Sequence, residues 1–256
     1  MYTVIFAGGQ GTRISEETNK VPKPMIKIGP KPIVEHIMKI YTKNGFNKFI
    51  ILTGYKRNKF KKYFDSKKNI FLDKKIKFSK KIINNFNESN SKNKIYLKLL
   101  YTGQKTNKKE RLQKLKTFLS KEKNFFLTYG DGVSNVNIKK LLAFHLRHKK
   151  ICTLTGVNPE QRYGLLKLNG NKIISFKEKK KIQQRYINAG FFVCKSKIFD
   201  FFNNKKIDFE ENILPLLSKK GQLRCFKHHA FWQCMDTMRD KNFLKKLLKD
   251  NNAPWI

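Results

Sequence analysis

The chain has 256 residues and a mass of 30.3 kDa, and 39% of its residues are hydrophobic, enough to furnish the buried core of a folded domain; a disordered, collagen-like or coiled-coil chain is excluded as a global description. Its formal charge of +39 sets 57 basic residues against 18 acidic ones, yet only eight of the basic residues are arginines. Lysine, asparagine, isoleucine and phenylalanine share AT-rich codons, so compositional bias accounts for the lysine surplus and no nucleic-acid partner is expected.

Residues 2–7, β-branched and aromatic, read as a buried strand that empties into Gly8-Gly9-Gln10-Gly11-Thr12-Arg13. Pro32 is expected in the first turn of a helix, with Ile33, Ile37, Ile40 and Tyr41 at helical spacing up to a stop at Asn44-Gly45. Residues 49–54 repeat the strand-then-glycine pattern, and strand, helix, strand within about fifty residues is a βαβ unit that demands a parallel sheet. Residues 59–64 interleave lysine with aromatic side chains, which fits an amphipathic helix and a single-strand binder equally well. Residues 67–94, rich in Lys, Asn and Ser, read as a surface excursion without assignable elements. Further strands are expected at 95–100, 125–129, 152–156, 164–168, 173–176 and 190–194, with a helix near Arg111, Leu112 and Leu115. Asn169-Gly170 is a hairpin signal, so the parallel sheet is expected to acquire antiparallel strands later on. Phe243, Leu244, Leu247 and Leu248 mark a C-terminal helix at about 239–250. Neither repeat nor linker interrupts the chain, so residues 1–256 are expected to form a single domain.

The four cysteines, Cys152, Cys194, Cys225 and Cys234, show no metal or disulfide spacing, which suits a reducing cytoplasm. The opening MYTVIFAGG carries no basic leader, and no stretch approaches the roughly 20 apolar residues of a membrane span, so neither export nor membrane insertion is expected.

The glycine loop is neither a Walker motif nor a dinucleotide fingerprint, because position 13 is arginine. Its glycines let backbone N–H groups wrap a polyphosphate, Thr12 adds a hydroxyl, and Arg13 adds a bidentate fork. Lys23, between Pro22 and Pro24, is a positive charge on a stiffened loop. Asp131 follows an apolar strand, at the edge where open parallel sheets place ligands. Each has a plain structural reading beside the chemical one: a strand–helix turn, an extended linker, a turn aspartate. His228 and His229, adjacent on a strand, would face opposite ways and share no ion.

Taken together, residues 7–13 with Pro22-Lys23-Pro24 resemble the signature of the sugar-nucleotide pyrophosphorylases, which join a sugar 1-phosphate to a nucleoside triphosphate and release pyrophosphate. Residues 14–18, 36–41, 128–133, 231–233, 235–237 and 253–255 resemble the glucose-1-phosphate cytidylyltransferase branch of that family. The resemblance implies a Rossmann-like, three-layer α/β nucleotidyltransferase fold with a mixed, mostly parallel central sheet. It also implies CTP and glucose 1-phosphate as substrates, Mg²⁺ as cofactor, and assembly into a homo-oligomer. By the same resemblance Arg13 and Lys23 are catalytic, and Ala7, Gly8, Gly9, Gly11, Thr12, Arg13, Thr106, Arg111 and Gly130 bind the nucleotide. Glu178, Lys179 and Asn188 would bind the sugar phosphate, and Asp131 and Asp236 the metal; the plain reading of Asp236 is a helix N-cap. The sequence departs from the family pattern at Asn107-Lys108-Lys109-Glu110, Lys180, Ala189 and Cys234, the last expected to pack rather than react. A different base or sugar (UTP, dTTP, mannose or heptose phosphate) and a basic nucleic-acid binder on a transferase fold are the alternatives.

Overall fold

The computed structural model describes residues 1–9, 11–67, 70–73, 94–159, 164–178, 186–202 and 207–256. Its strands are β1 Thr3–Ala7, β2 Lys27–Ile28, β3 Lys31–Pro32, β4 Lys48–Thr53, β5 Ile70–Asp73, β6 Ile95–Tyr101, β7 Asn124–Tyr129 and β8 Gly132–Ser134. They continue with β9 Cys152–Val157, β10 Leu165–Asn169, β11 Lys172–Lys177, β12 Ile187–Lys195, β13 Leu223–His228 and β14 Trp232–Cys234. Eight of them build the central sheet in the order β13-β9-β12-β7-β1-β4-β6-β5.

Within that sheet β12 alone runs against the rest, antiparallel to both β7 and β9. The fold is thus α/β with a mixed, mostly parallel sheet, as expected. Strand β1 lies between β7 and β4, parallel to both, so the chain builds outward on one side of β1 and then crosses to the other. This reversal opens a crevice beyond the carboxyl ends of β1 and β7. Alternation along β1 sends Ile5 and Ala7 into one core and Val4 and Phe6 into the other, so helices cover both faces. The helix Ile33–Thr42 buries Ile33, Ile37, Ile40 and Tyr41 on one face, and it ends before Gly45, whose φ of 86° a side chain would strain. Trp255 donates its indole N–H to His36 and stacks on Phe231, closing the C-terminus over that helix. Among the described residues no helix is long and apolar enough to cross a membrane.

The structure departs from the sequence reading in several places. Part of the supposed excursion, Ile70–Asp73, is a strand that pairs in parallel with β6 at the sheet edge, while residues 74–93 lie outside the described residues. The β10–β11 hairpin, turned by Gly170 at φ 55°, is a separate two-stranded sheet instead of part of the central one. Pro32 is the N-cap of its helix, one residue before the first turn. The segment around Arg111 forms two short helices, Lys108–Gln113 and Lys116–Leu119. Residues 59–64 fall in the helix Asn58–Asp65, with Phe60 and Phe64 buried, which favours the amphipathic reading. The C-terminal helix runs Met238–Lys249, and its N-cap is Thr237, not Asp236.

Candidate active site

The crevice at the β1–β7 switch gathers three distant segments. After Ala7 the chain turns through Gly8 and Gly9, and Gly11 takes φ 69° at the start of a short 3₁₀ turn carrying Thr12 and Arg13. A Cβ on Gly11 would lie 2.9 Å from Thr18 and 3.1 Å from Lys23, so the missing side chain lets the Lys23 segment pack against the loop. Gly130, just past β7, does the same on the other side: a Cβ there would lie 2.7 Å from the Phe6 carbonyl and 2.9 Å from the Pro24 ring. Lys23 is clasped between two glycines and held in a 3₁₀ turn by Pro22 and Pro24. Its side chain is spatially fixed before any ligand arrives.

Asp131 and Asp236 are 105 residues apart, and a short antiparallel ladder unites them. Strand β14 pairs with β8, placing Cys234 opposite Gly132, and the Met235 N–H donates to the Asp131 carbonyl. Asp236 then sits just before the helix capped by Thr237 and Asp240, whose N-terminal dipole favours a carboxylate nearby. Lys23 Nζ donates to Asp131 at 2.7 Å and to Asp236 at 2.5 Å, and Arg13 donates to the other Asp236 oxygen at 3.0 Å. Only 9% of Lys23 is exposed. Burial by itself would lower the ammonium pKa, but the two carboxylates outweigh it and Lys23 is held charged, its pKa raised. Asp236 mirrors this: burial pushes its carboxyl up, and Lys23 and Arg13 bring it below its ordinary value.

Asp131 and Asp236 converge on one ammonium, so a cation shared by both carboxylates would take the place of the Lys23 nitrogen between them. Among the described residues no group of three or more His, Cys, Asp and Glu could hold a metal ion. A metal placed between Asp131 and Asp236 would therefore complete its shell with water and phosphate oxygens, which is the habit of Mg²⁺. Cys234, 3.5 Å from Asp236, is pushed up to about 12 by burial and then by the neighbouring carboxylates; it is a protonated thiol and no nucleophile.

Arg111 makes a second cluster. Its guanidinium, 4% of the residue being exposed, donates to the carbonyls of Gly8, Thr53, Gly103 and Gln104 and to the Thr102 hydroxyl. These groups lie just beyond or at the ends of β1, β4 and β6, so one side chain ties three strand ends together. A Cβ on Gly8 would fall 2.0 Å from its Nη1, so that glycine makes room for the guanidinium. Thr106 donates to the carbonyls of Thr102 and Gly103 and closes the same loop. Asn107 and Glu110 form a capping box, which gives the departing loop residues a local structural role.

Of the sugar-side residues, Asn188 sits in β12 where the register slips before Phe192, donating to the Tyr129 hydroxyl at 3.0 Å. Glu178 follows β11 and is exposed; Lys179, like Lys180, lies outside the described residues. The sequence reading passed over Tyr129, Lys108 and Glu210, which meet beside Asn188. Glu210 has partners 81 and 102 residues away, and no spacing marks it.

Comparison with known proteins follows the same lines. The profile of the Nucleotidyl transferase family matches residues 2–240. The glucose-1-phosphate cytidylyltransferase of Salmonella typhimurium is 39% identical over 100% of this chain and 98% of its own. A probable glucose-1-phosphate cytidylyltransferase of Bacillus subtilis is 35% identical over 100% and 99%. The crystal structure of HddC from Yersinia pseudotuberculosis superposes with a TM-score of 0.67 at 21% identity, over 96% of this chain and 99% of that one, a likeness of fold.

Proposed function

The chain belongs to the nucleotidyl transferase family, and from that premise we propose that it joins CTP to glucose 1-phosphate, forming CDP-glucose and releasing pyrophosphate. The observation that carries the chemistry is the convergence of Arg13, Lys23, Asp131 and Asp236 at the crevice. A phosphate monoester, with second pKa about 6, is largely dianionic at neutral pH and needs no strong base. One of its oxygens attacks the α-phosphorus of CTP in line; a P–O bond forms, the bond to the β-phosphate breaks, and pyrophosphate leaves with the electron pair.

The demand on the protein is positioning and charge neutralisation. Ala7, Gly8, Gly9, Gly11 and Thr12, with Gly130, line the triphosphate path, and Arg111 and Thr106 serve it by holding the loops in place. Arg13 neutralises the departing pyrophosphate, and Lys23 the crowded charge at the α-phosphate. Asp131 and Asp236 would hold Mg²⁺, which would supply further neutralisation of phosphate charge. Glu178, Lys179 and Asn188 receive the sugar phosphate. The full-length identity to the cytidylyltransferase of Salmonella typhimurium supports the choice of CTP and glucose 1-phosphate.

The test is pyrophosphate release with Mg²⁺, glucose 1-phosphate and each of CTP, UTP, dTTP, ATP and GTP. Release confined to CTP is expected. Release with another triphosphate alone overturns the base assignment, and silence with all five overturns the sugar.

A further inference from the structure

Beside the phosphate centre, one carboxylate joins two parts of the proposed substrate site. Glu210 comes from the turn Phe209–Ile213, which packs Phe209 and Ile213 into the core, so its backbone is fixed. It accepts a hydrogen bond from the Tyr129 hydroxyl and another from Lys108. Lys108 also lies over the Tyr129 ring, 5.2 Å from its centroid, and begins the helix that carries Arg111. Glu210 as a carboxylate can only accept, so the Tyr129 hydroxyl is the donor of the pair and its hydrogen points at Glu210.

The geometry then dictates the orientation of Asn188. The Tyr129 oxygen, its hydrogen donated in the hydrogen bond to Glu210, accepts from Asn188 Nδ2 at 3.0 Å. The Asn188 Oδ1 accepts the Gly190 backbone N–H at 2.9 Å, a donor that cannot become an acceptor. Gly190 has φ 80°, and a Cβ there would lie 2.6 Å from the Tyr129 ring, so the bulge of β12 sits tightly over the tyrosine. With its oxygen engaged by Gly190 and one N–H by Tyr129, the carboxamide has, among the described residues, its second N–H left to offer.

We propose that Glu210 is a positioning residue for the sugar phosphate: by fixing the Tyr129 hydroxyl it aims the second N–H of Asn188 at an acceptor oxygen of the sugar, and through Lys108 it ties that aim to the helix of Arg111. The inference rests on the proposed function for the identity of the ligand, while the relay itself is a property of the chain.

Pyrophosphate release at saturating CTP reads the first part. Glu210→Ala is expected to raise KM for glucose 1-phosphate about tenfold, with kcat and KM for CTP within about threefold of wild type. Glu210→Gln, which keeps an acceptor for Tyr129, should recover most of that loss. Tyr129→Phe should match Glu210→Ala, and the double variant should be no worse than either single one. Multiplying losses, about 100-fold in the double variant, or equal damage to CTP and sugar, would overturn the relay. A second reading needs no substrate: the ¹⁵N side-chain amide resonances of Asn188 should shift in both Tyr129→Phe and Glu210→Ala. Resonances unmoved in both overturn the inference even if wild type turns over CTP and glucose 1-phosphate. An inactive wild type whose Asn188 resonances do shift overturns the proposed function and upholds the relay.

Discussion

The two edges of the central sheet carry the same residue type in opposite electrostatic states. At the carboxyl edge of the parallel strands, Lys23 is raised above its ordinary pKa, because Asp131 and Asp236 outweigh its burial. At the opposite edge Lys195 is lowered, first by burial and then by Lys197, Lys123 and Lys149. The second edge has a hollow of about 880 Å³, lined by those four lysines with Lys220 and one carboxylate, Glu122. Room alone does not make a phosphate-transfer centre. What distinguishes the carboxyl edge is opposite charges brought from remote parts of the chain onto one buried nitrogen, with glycines shaped to let them approach.

If that contrast is right, perturbing the two edges should give very different results. Outside the carboxylate pair, the largest effect is expected for Lys23→Ala: kcat falls about 10²–10³-fold, as for loss of one positioned donor, while KM for CTP changes less than about fivefold. Steady-state kinetics checks this, and a change confined to KM would reduce Lys23 to a binding residue. Next comes a pH effect at the far edge, where buried His145 bonds Thr153 at 2.8 Å and is lowered to about 4 by burial, then by His148 and Lys195. A depressed histidine holds fewer protons folded than unfolded, so its stabilisation is complete above about pH 6.5 and is lost as pH falls toward 4. The loss is on the order of 3 kcal/mol at pH 4, read as the difference in urea-unfolding free energy between wild type and His145→Gln across that window. An unchanged difference from pH 7 to 4 would show that His145 titrates normally.

A smaller effect is expected for Gly130→Ala, whose methyl must displace Pro24 and with it Lys23. A roughly tenfold fall in kcat should accompany a destabilisation of about 1–3 kcal/mol, measured by kinetics and thermal unfolding together. The smallest belongs to Lys195→Met: turnover within about twofold of wild type, because that edge takes no part in the reaction. A tenfold loss there would break the comparison.

How much of this was legible depended on the reach of each signal. Strand β1, the glycine loop, the helix Ile33–Thr42 and strands β4, β6 and β7 announce themselves because apolar periodicity and turn residues are local. Lys23 and Asp131 share that advantage, framed by prolines and by glycines. Strand β13 does not: Leu223-Arg224-Cys225-Phe226-Lys227-His228 is a half-exposed edge, hard to tell from the lysine-rich background. Arg111 is picked out in the sequence by resemblance alone, and its donors end on backbone carbonyls and the Thr102 hydroxyl, which no sequence pattern marks. Glu210 was invisible because its surroundings are assembled only when β7 and β12 pair.

Asp131 and Asp236 are proposed to act as one centre around a single cation, although 105 residues separate them. The most direct test is a double-mutant cycle of Asp131→Asn and Asp236→Asn, read as Mg²⁺-dependent pyrophosphate release from CTP and glucose 1-phosphate, with circular dichroism to confirm the fold. Each single variant is predicted to lose about 10³-fold or more, and the double variant no more than about threefold beyond either. An Asp236→Asn enzyme within fivefold of wild type, or losses that multiply in the double variant, would contradict the account.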